Sequence, residues 1–412
     1  MRSGMSQIIH TDILIIGAGP SGATCSLFLS KLKVPHLIVE AAKFPRDKVC
    51  GDGLDLKVAR VLRALDPELP DQLLAQADAV TPCRGARLIT PGGRSVDFKY
   101  YPKPEDPHPF PLLYCAKRLF FDNFLAARIP SPYADFRQET AVKSLARTPE
   151  GHWLVEAEGP DGPLQIQAKM LAGADGDHSV LLRHLGTRKI DRNHYAGTLR
   201  QYWKGIQGLG DHIEIYFPKG LPMSYFYIFP LPNGEANVGY GMVSSLLAQK
   251  QHNLRDLFKK LIETDPLIAP RFAAAEPLEK PIGWGLPLAS RRRPASGEGW
   301  LLLGDAASLV CPTSGEGIGT GMMSGYIAAH FLARAYQAGD YSHAQFRNYD
   351  KEIYRRLEEE IRLFRIMMRM PVGVYDWMLS VGVRMPFFQK RFVKLAPKWL
   401  QTAFEKEIAI AF

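Results

Sequence analysis

A short apolar segment near the N-terminus leads directly into a cluster of glycines. Residues 12–16 (DILII) predict a buried strand, residues 17–22 (GAGPSG) form a GxGxxG motif, and a helical pattern continues to about Lys33. Between a strand and a helix, the first glycine allows a tight turn, the second lets a pyrophosphate approach the backbone, and the third lets the helix pack closely on the strand. We therefore predict a dinucleotide-binding fold whose phosphates lie at a helix N-terminus. The expected contacts are Gly17, Ala18, Gly19, Pro20, Ser21 and Gly22.

An acidic residue ends the next predicted strand. Residues 36–40 (HLIVE) finish at Glu40, eighteen residues after Gly22. At this spacing a carboxylate can accept hydrogen bonds from both ribose hydroxyls of an adenosine, and it would repel a 2′-phosphate. We therefore expect an adenine dinucleotide other than NADP in this site.

A second glycine-rich turn, far along the chain, indicates which dinucleotide is bound. Residues 299–303 (GWLLL) predict another buried strand, and a helix to about Tyr336 begins after a further glycine cluster. An aspartate at that strand end suits a ribityl hydroxyl, while the helix start directs free N–H groups and a positive dipole at a ligand. A reduced flavin, which is anionic at N1 and O2, fits such a site. The expected flavin contacts here are Gly304, Asp305, Gly315, Gly317 and Ile318.

These motifs resemble, in order, those of the glutathione-reductase-type flavoproteins related to para-hydroxybenzoate hydroxylase. The resemblance rests on residues 17–22, Glu40, residues 173–176 (GADG) and residues 304–306 (GDA), and it spans most of the chain. The segment RLFFDNFL, which starts at Arg118, resembles the helix whose arginine lies close to the flavin in that family. The resemblance implies FAD as the cofactor. It adds three expected binding residues, Arg118, Asp175 and Gly176.

Two further segments resemble a narrower group, the geranylgeranyl reductases, which are flavoenzymes that saturate isoprenoid double bonds. They are residues 48–53 (KVCGDG) and residues 225–230 (YFYIFP), and the family usually places Trp where Tyr227 stands here. The resemblance implies a flavin-side loop around residue 50. The expected cofactor contacts therefore extend to Arg46, Cys50, Gly51 and Gly53.

Cys50 is the expected catalytic residue of that loop. Arg46 and Lys48 flank it and would lower the pKa of its thiol if they lie close. A lone cysteine is usually inert, so simple packing is the alternative. Tyr225 and Tyr227 are further catalytic candidates.

The two tyrosines lie on one arm of a predicted β-hairpin. Asn233-Gly234 separates residues 224–230 from residues 236–242, and this dipeptide between apolar arms is a strong hairpin signal. One set of alternating side chains is expected to face a cavity, and the sequence does not tell which set.

The cysteine and histidine patterns exclude several other classes. The five cysteines are odd in number, far apart and contain no CxxC pair, so they support neither a disulfide framework nor a zinc ribbon, and reduced thiols in a cytosol fit best. Neither an HExxH nor a GxSxG motif occurs, so metalloprotease and serine hydrolase chemistry have no motif. We expect no metal.

The net charge of +9 is concentrated near the C-terminus. Residues 361–400 contain eight basic residues against Asp376 alone, with methionines and aromatic residues between them. This pattern predicts no nucleic-acid partner and favours peripheral contact with a lipid surface. A helical pack with a solvated basic face is the alternative. Residues 13–30 are uncharged for about the length of a membrane span, but their glycines and proline predict a strand and a helix. We expect a cytoplasmic protein, peripheral on the inner membrane face.

The wide separation of the motifs predicts a discontinuous FAD-binding domain. The expected fold is α/β (α+β overall), with a Rossmann-like FAD domain of the glutathione-reductase type, an antiparallel substrate sheet and a C-terminal helical region. The FAD domain is expected at 1–75, 116–190 and 291–345, the substrate domain at 76–115 and 191–290, and the helical region at 346–412.

The resemblance implies an FAD-dependent oxidoreductase that reduces a carbon–carbon double bond of a long apolar substrate, isoprenoid or lipid-like. A monooxygenase or halogenase of the same fold, in which reduced flavin reacts with oxygen, remains open, as does a lipid-binding protein that retains a flavin. Because no second GxGxxG follows a strand, the electron donor is expected to be NAD(P)H arriving transiently or another reduced carrier.

Overall fold

The structure is a computed structural model, and it describes residues 8–99, 113–187 and 189–382. The strands are β1 (Ile8–Ile16), β2 (His36–Val39), β3 (Gly53–Asp55), β4 (Val80–Cys83), β5 (Gly85–Ile89), β6 (Ser95–Lys99), β7 (Leu113–Ala116), β8 (Ala134–Arg137), β9 (Ala141–Arg147), β10 (Trp153–Gly159), β11 (Gly162–Gly173), β12 (Tyr195–Lys204), β13 (His212–Tyr216), β14 (Ser224–Pro230), β15 (Glu235–Val243), β16 (Glu276–Pro277), β17 (Ile282–Pro287), β18 (Ser296–Gly297) and β19 (Trp300–Leu302). The helices are α1 (Pro20–Lys31), α2 (Leu56–Leu65), α3 (Leu69–Leu74), α4 (Arg118–Ala126), α5 (Val180–His184), α6 (Ser244–Gln249), α7 (Leu254–Thr264), α8 (Ala269–Phe272), α9 (Ile318–Ala338), α10 (His343–Met368) and α11 (Val372–Gly382).

Contacts between residues divide the chain into two units. Unit 1 comprises the described parts of Met1–Asp47, Leu119–Ile190 and Pro287–Glu359, and unit 2 those of Lys48–Arg118, Asp191–Leu286 and Glu360–Phe412.

This division departs from the expected domain boundaries in two places. Residues 48–75 lie in unit 2, because β3 pairs with β7 and β7 pairs with β4 in a small sheet of that unit. The part of α10 that ends at Glu359 lies in unit 1. The Pro-rich stretch Pro102 to Pro111 and the tail from residue 383 lie outside the described residues. The roles of the two parts as FAD and substrate domains stay a prediction.

Unit 1 is built on a mixed eight-stranded sheet in the order β18-β19-β11-β1-β2-β8, with β10 and β9 continuing beside β11. The pairs β1 with β11, β1 with β2, β2 with β8 and β11 with β19 are all parallel. The apolar run Ile13 to Ile16 is buried, as a strand covered on both faces requires. The predicted α/β fold class is confirmed.

Helices α1 and α9 pack backbone to backbone against each other in unit 1. A β-carbon on Gly325 of α9 would overlap the carbonyl oxygen of Ser21 in α1. Most of α9 is buried, so its length reflects packing in the core. Among the described helices, none is both long and apolar enough to cross a membrane.

Unit 2 contains a second eight-stranded sheet, in the order β16-β12-β15-β14-β13-β5-β6 with β17 beside β12. The hairpin predicted at Asn233-Gly234 is confirmed, since β14 and β15 pair antiparallel and both turn residues have positive φ, 61° and 71°. Phe226 and Ile228 of β14 belong to a core cluster that includes Phe258 of α7.

Candidate functional site

Gly17 follows β1 where three parallel strands end side by side. Its N–H donates to the carbonyl oxygen of Val39 at 2.8 Å, and its φ is +97°. A β-carbon there would lie 2.6 Å from the carbonyl oxygen of Ala174. Only glycine fits this turn without strain.

Gly22 and Gly19 differ in what surrounds them. A β-carbon on Gly22 would overlap the carbonyl oxygen of Gly17, so Gly22 permits the close approach of helix and strand. At Gly19 the nearest atom is Nη2 of Arg46, 3.7 Å away, and the Gly19 residue gives α1 no side-chain cap. Open space at a helix N-terminus fits the pyrophosphate of FAD. The contacts predicted for Ala18, Pro20 and Ser21 stay predictions.

Arg46 supplies a fixed positive charge beside Gly19. Its Nη1 donates to Oδ2 of Asp122 at 2.7 Å, and its Nε lies 3.6 Å from Oε1 of Glu40. The guanidinium also lies 4.8 Å from the ring centre of Phe44. Because Asp122 is fully buried and Glu40 is buried, the guanidinium is held in one orientation next to the candidate phosphate position.

Glu40 follows β2 at the predicted place. Its Oε2 accepts from the N–H of Ala18 at 2.8 Å and its Oε1 from the N–H of Ala42 at 3.1 Å. These bonds orient the carboxylate, and each oxygen keeps a second lone pair for a ribose hydroxyl. That ribose contact stays a prediction.

Asp175 carries a buried polar atom that no described residue satisfies. Its Oδ2 accepts from the N–H of Val180 at 2.7 Å, while its Oδ1 is buried without a hydrogen-bond partner. Burial raises the pKa of this carboxyl. The β-carbon position of Gly176 is open, with no atom within 4 Å. A buried acceptor without a partner on this motif fits a hydroxyl-bearing ligand such as FAD.

The third motif brings Asp305 to the start of α9. Gly304 has a φ of +56° and donates its N–H to Oγ of Ser324 at 3.0 Å. Oδ1 of Asp305 lies 3.6 Å from the position of a β-carbon on Gly317, the residue before α9. Gly315 precedes this turn with a φ of +70°, and Ile318 is the first residue of α9.

The expectation of free N–H groups at the start of α9 is wrong for two of them. Oε1 of Glu316 accepts from the N–H of Gly319 and from that of Thr320, the latter at 3.3 Å. A carboxylate is a suitable cap because the helix N-terminus is positive.

In unit 2, the loop before β3 lies against one face of β14. A β-carbon on Gly51 would lie 3.3 Å from Oη of Tyr227, and one on Gly53 would lie 3.0 Å from Cε2 of Phe229. The ring centres of Tyr227 and Phe229 are 4.5 Å apart, and those of Tyr225 and Tyr227 are 6.2 Å apart. The glycines therefore admit the loop to an aromatic row on the strand face opposite Phe226.

A buried polar network fixes this loop. Oδ2 of Asp52 accepts from the hydroxyl of Tyr202 at 2.7 Å and from Nδ2 of Asn237 at 2.8 Å. Nδ2 of Asn237 also donates to the carbonyl oxygen of Cys50 at 2.7 Å, and Oδ1 of Asn237 accepts from the hydroxyl of Tyr227 at 3.3 Å. Arg118 joins the network because its N–H donates to Oδ1 of Asp52 at 3.3 Å.

The expectation of a lowered thiol pKa at Cys50 is wrong. Burial raises the pKa of Cys50, and the charge of Asp52 raises it further, while Arg118 and Lys48 act in the opposite direction. Arg46 pairs instead with Asp122 and Glu40. The thiol of Cys50 is therefore protonated at neutral pH and is not activated as a nucleophile.

One known protein family matches this sequence along most of its length. Residues 10–361 match the family described as FAD binding domain. This protein belongs to the FAD binding domain family. It is therefore an FAD-dependent oxidoreductase, and the resemblance to geranylgeranyl reductases is supported by relatives within this FAD family.

Two curated relatives of this FAD family are similar along most of their length. Menaquinone reductase of Mycobacterium tuberculosis is 30% identical over 338 residues, covering 80% of this chain and 78% of the relative. Digeranylgeranylglycerophospholipid reductase 2 of Methanopyrus kandleri is 29% identical over 353 residues, covering 85% of this chain and 82% of the relative.

Two solved structures share the fold of this FAD family member. A geranylgeranyl bacteriochlorophyll reductase-like protein of Thermoplasma acidophilum has a TM-score of 0.79 at 21% identity, covering 97% of this chain and 99% of that one. A flavin-dependent brominase has a TM-score of 0.75 at 20% identity, covering 96% and 98%.

The structure adds residues that the site prediction did not include, namely Asp52, Asp122, Tyr202 and Asn237. Asp52 carried a local signal, since it stands between two glycines of the predicted loop. Tyr202 and Asn237 lie 150 and 185 residues along the chain from it, so a local pattern does not reveal their partner.

Proposed function

We propose that this protein reduces a carbon–carbon double bond in a long apolar substrate of the isoprenoid or lipid type. The two curated relatives support the proposal, because one is named for a menaquinone and the other for a glycerophospholipid with geranylgeranyl chains. The observation that carries it is the half-buried Cys50, which lies on the loop that Asn237 fixes and which has a raised pKa.

Bound FAD supplies the hydride in such a reaction, and the second alkene carbon needs one proton. We assign that proton to the thiol of Cys50. An ordinary thiol is already protonated at neutral pH, and burial raises the pKa of Cys50 further, so its proton is present across the neutral range. When the S–H bond breaks and the C–H bond forms, the thiolate that remains takes a proton from solvent. The raised pKa of Tyr227 likewise keeps its hydroxyl protonated, and burial is the main cause.

The aromatic row of Tyr225, Tyr227 and Phe229 suits an apolar chain. These side chains occupy the face of β14 that the Cys50 loop covers, whereas Phe226 and Ile228 face the core. We assign the row the task of binding the substrate and excluding water, with Tyr225 and Tyr227 as further candidates for the proton donor. NAD(P)H or another reduced carrier is the proposed electron donor.

A flavin monooxygenase or halogenase is the second candidate, favoured by the fold shared with a flavin-dependent brominase. In that case the reduced cofactor consumes oxygen and the alkene is not reduced.

Stopped-flow absorbance separates these candidates. The reduced protein is mixed with a geranylgeranyl lipid without oxygen, or with oxygen alone, and the return of flavin colour is followed. The proposal predicts fast return with the alkene, and Cys50→Ala slows it by about 10²- to 10⁴-fold, the usual contribution of a general acid. Cys25→Ala, which removes a buried thiol from α1 in unit 1, is the matched control and leaves the rate nearly unchanged. Fast return with oxygen alone favours the second candidate.

We further propose peripheral contact between the C-terminal region and an anionic membrane. On the described end of this region, Leu363, Ile366 and Trp377 are exposed, and Trp377 retains 61% of its accessible surface. Arg362, Arg365 and Arg369 are exposed on the same stretch. Apolar side chains between basic ones suit the interface of an anionic bilayer. The basic residues from Arg384 to Lys398 lie outside the described residues.

A further inference from the structure

Asp52 is a carboxylate buried next to the candidate proton donor. Its side chain is completely buried, and its φ of +63° is a left-handed value that is uncommon for a residue other than glycine. An ionised carboxylate without water requires hydrogen-bond donors, and Asp52 has three: the hydroxyl of Tyr202, Nδ2 of Asn237 and the N–H of Arg118. Such a costly arrangement indicates a role beyond packing.

One side chain connects Asp52 to the backbone of Cys50. Nδ2 of Asn237 donates one hydrogen bond to Oδ2 of Asp52 and one to the carbonyl oxygen of Cys50. The amide has only two donors, so both are used on this loop. Its Oδ1 accepts from the hydroxyl of Tyr227 at 3.3 Å, so all the polar groups of this side chain are engaged.

The charged groups that face Asp52 come from several elements. Arg118 at the start of α4 and Arg200 on β12 favour its ionised form, as do the hydrogen bonds from Tyr202 and Asn237. Arg200 pairs with Glu279 and lies over the ring of Tyr202. The neighbouring ionisable groups are Cys50, Cys115 and Tyr227, on each of which the charge of Asp52 raises the pKa.

Two opposing effects meet at Asp52. Burial raises the pKa of its carboxyl to about 6, in spite of the hydrogen bonds and the two arginines. The carboxyl therefore changes its charge within the pH range in which enzymes work. Its negative charge in turn raises the pKa of Cys50.

We propose that Asp52 is a positioning residue for Cys50: its ionised carboxylate holds the Cys50 loop through Asn237, and its negative charge opposes ionisation of the thiol. The inference rests on the proposed role of Cys50 as proton donor. The carboxylate transfers no proton to the substrate and acts only through the neighbouring side chains.

This role has a consequence for pH that a lone acid would not have. A thiol with a raised pKa loses its proton only at high pH. By itself, Cys50 would therefore limit the rate at high pH and not at low pH. However, Tyr202 and Asn237 both donate to Oδ2 of Asp52. When Oδ2 carries a proton, it cannot accept both of these hydrogen bonds. The reaction should therefore also slow as the pH falls through about 6, where Asp52 becomes neutral.

The test compares two tyrosines that make the same bond in unit 2. Tyr202 donates to Asp52 at 2.7 Å, and Tyr216 donates to Oε2 of Glu214, also at 2.7 Å. Tyr202→Phe removes a hydrogen bond that favours the ionised form of Asp52 and so raises the pKa of its carboxyl. The acid limb of the pH profile should therefore move to higher pH by about one unit. Tyr216→Phe is the matched control and should leave that limb in place.

Two measurements on the FAD-loaded protein follow the proposal. The first is the anaerobic single-turnover rate of alkene reduction as a function of pH. The second needs no activity: infrared difference spectra follow the carboxyl band of Asp52 during a pH titration, and the band is assigned by its loss in Asp52→Asn. We expect both to give a transition near pH 6 that moves upward in Tyr202→Phe and stays in Tyr216→Phe.

Alkylation of Cys50 by iodoacetamide gives a third, independent result. The other four cysteines are buried, so peptide mass spectrometry can follow Cys50 selectively. Asp52→Asn removes the nearby negative charge and should shift the alkylation profile of Cys50 to lower pH.

The outcomes are distinguishable. An infrared transition that does not move in Tyr202→Phe, or an alkylation profile unchanged in Asp52→Asn, overturns the positioning role. Absence of alkene reduction at every pH contradicts the proposed function. The infrared and alkylation measurements do not depend on activity, so they still test the role of Asp52.

Discussion

Arg46 donates from Nη1 to Oδ2 of the fully buried Asp122 at 2.7 Å, which fixes the guanidinium beside the open position at Gly19. The pair therefore has two tasks, to neutralise a buried charge and to present a cation where we expect the pyrophosphate. These tasks can be separated by substitution.

Arg46→Met should weaken both stability and FAD binding. It leaves Asp122 buried without its cation, and breaking such a pair typically costs about 3–5 kcal/mol. Adding Asp122→Asn should recover much of the free energy of unfolding but not the FAD affinity. Urea unfolding of the apoprotein and fluorescence titration with FAD measure the two effects. Recovery of FAD affinity in the double variant would show that Arg46 acts only through stability.

Gly19→Val should give a folded protein without flavin. The protein leaves room for a side chain at Gly19, so the clash would be with the phosphates and not with the fold. Gly22→Val is the contrast, because its side chain would overlap the carbonyl oxygen of Gly17 and should lower the melting temperature. Flavin absorbance and a melting curve check both variants. Full flavin occupancy in folded Gly19→Val contradicts the assignment of the site.

Substitution of Asp52 should change how stability depends on pH. A carboxyl whose pKa is about 6 in the folded protein and 3.8 as a reference binds its proton more tightly when folded. Its contribution to stability is therefore present below pH 3.8 and is lost as the pH rises through 6. The loss is at most about 3 kcal/mol, at about 1.36 kcal/mol per pKa unit.

The measurement for Asp52 compares free energies of unfolding at several pH values. The advantage of Asp52→Asn over the natural protein should grow between pH 4 and 7. Asp161→Asn, at an exposed turn, controls for the loss of a carboxylate. A constant difference across this range contradicts the raised pKa of Asp52.

The candidate FAD-binding residues of unit 1 were predictable because each stands at a fixed distance from a strand end. Gly17, Gly22 and Glu40 follow from periodicity and spacing alone. The structure places Gly17 directly after β1, Gly22 in the first turn of α1, and Glu40 directly after β2. Arg46 was singled out, but its partner Asp122 was not assigned to the site. A helix pattern gives the face on which Asp122 lies and not the distant loop that it meets.

The polar network of unit 2 was not predictable in the same way. Tyr202 and Asn237 look like ordinary strand residues, and only the pairing of β12 with β15 brings them together at residue 52. The predicted downward shift of the pKa of Cys50 was wrong for a related reason. Charged neighbours are visible in the sequence, whereas desolvation depends on burial, which is a property of the whole fold.

Binding to anionic vesicles should depend on the exposed apolar residues of the C-terminal region. Replacement of Ile366 and Trp377 by Ser should reduce co-sedimentation with phosphatidylserine vesicles, and added salt should weaken binding through screening. Ile190→Ser, which removes an exposed apolar side chain in unit 1, is the matched control. If the natural protein fails to sediment with these vesicles at low salt, the region serves packing alone.

The central claim is that the flavoprotein adds hydrogen to an alkene. The most direct measurement is the mass of the product formed when reduced, FAD-loaded protein is incubated with a geranylgeranyl lipid under strict anaerobiosis. We expect a product heavier by two hydrogen atoms that forms without oxygen. A product that forms only in air and contains oxygen, or halogen when halide is supplied, would contradict it.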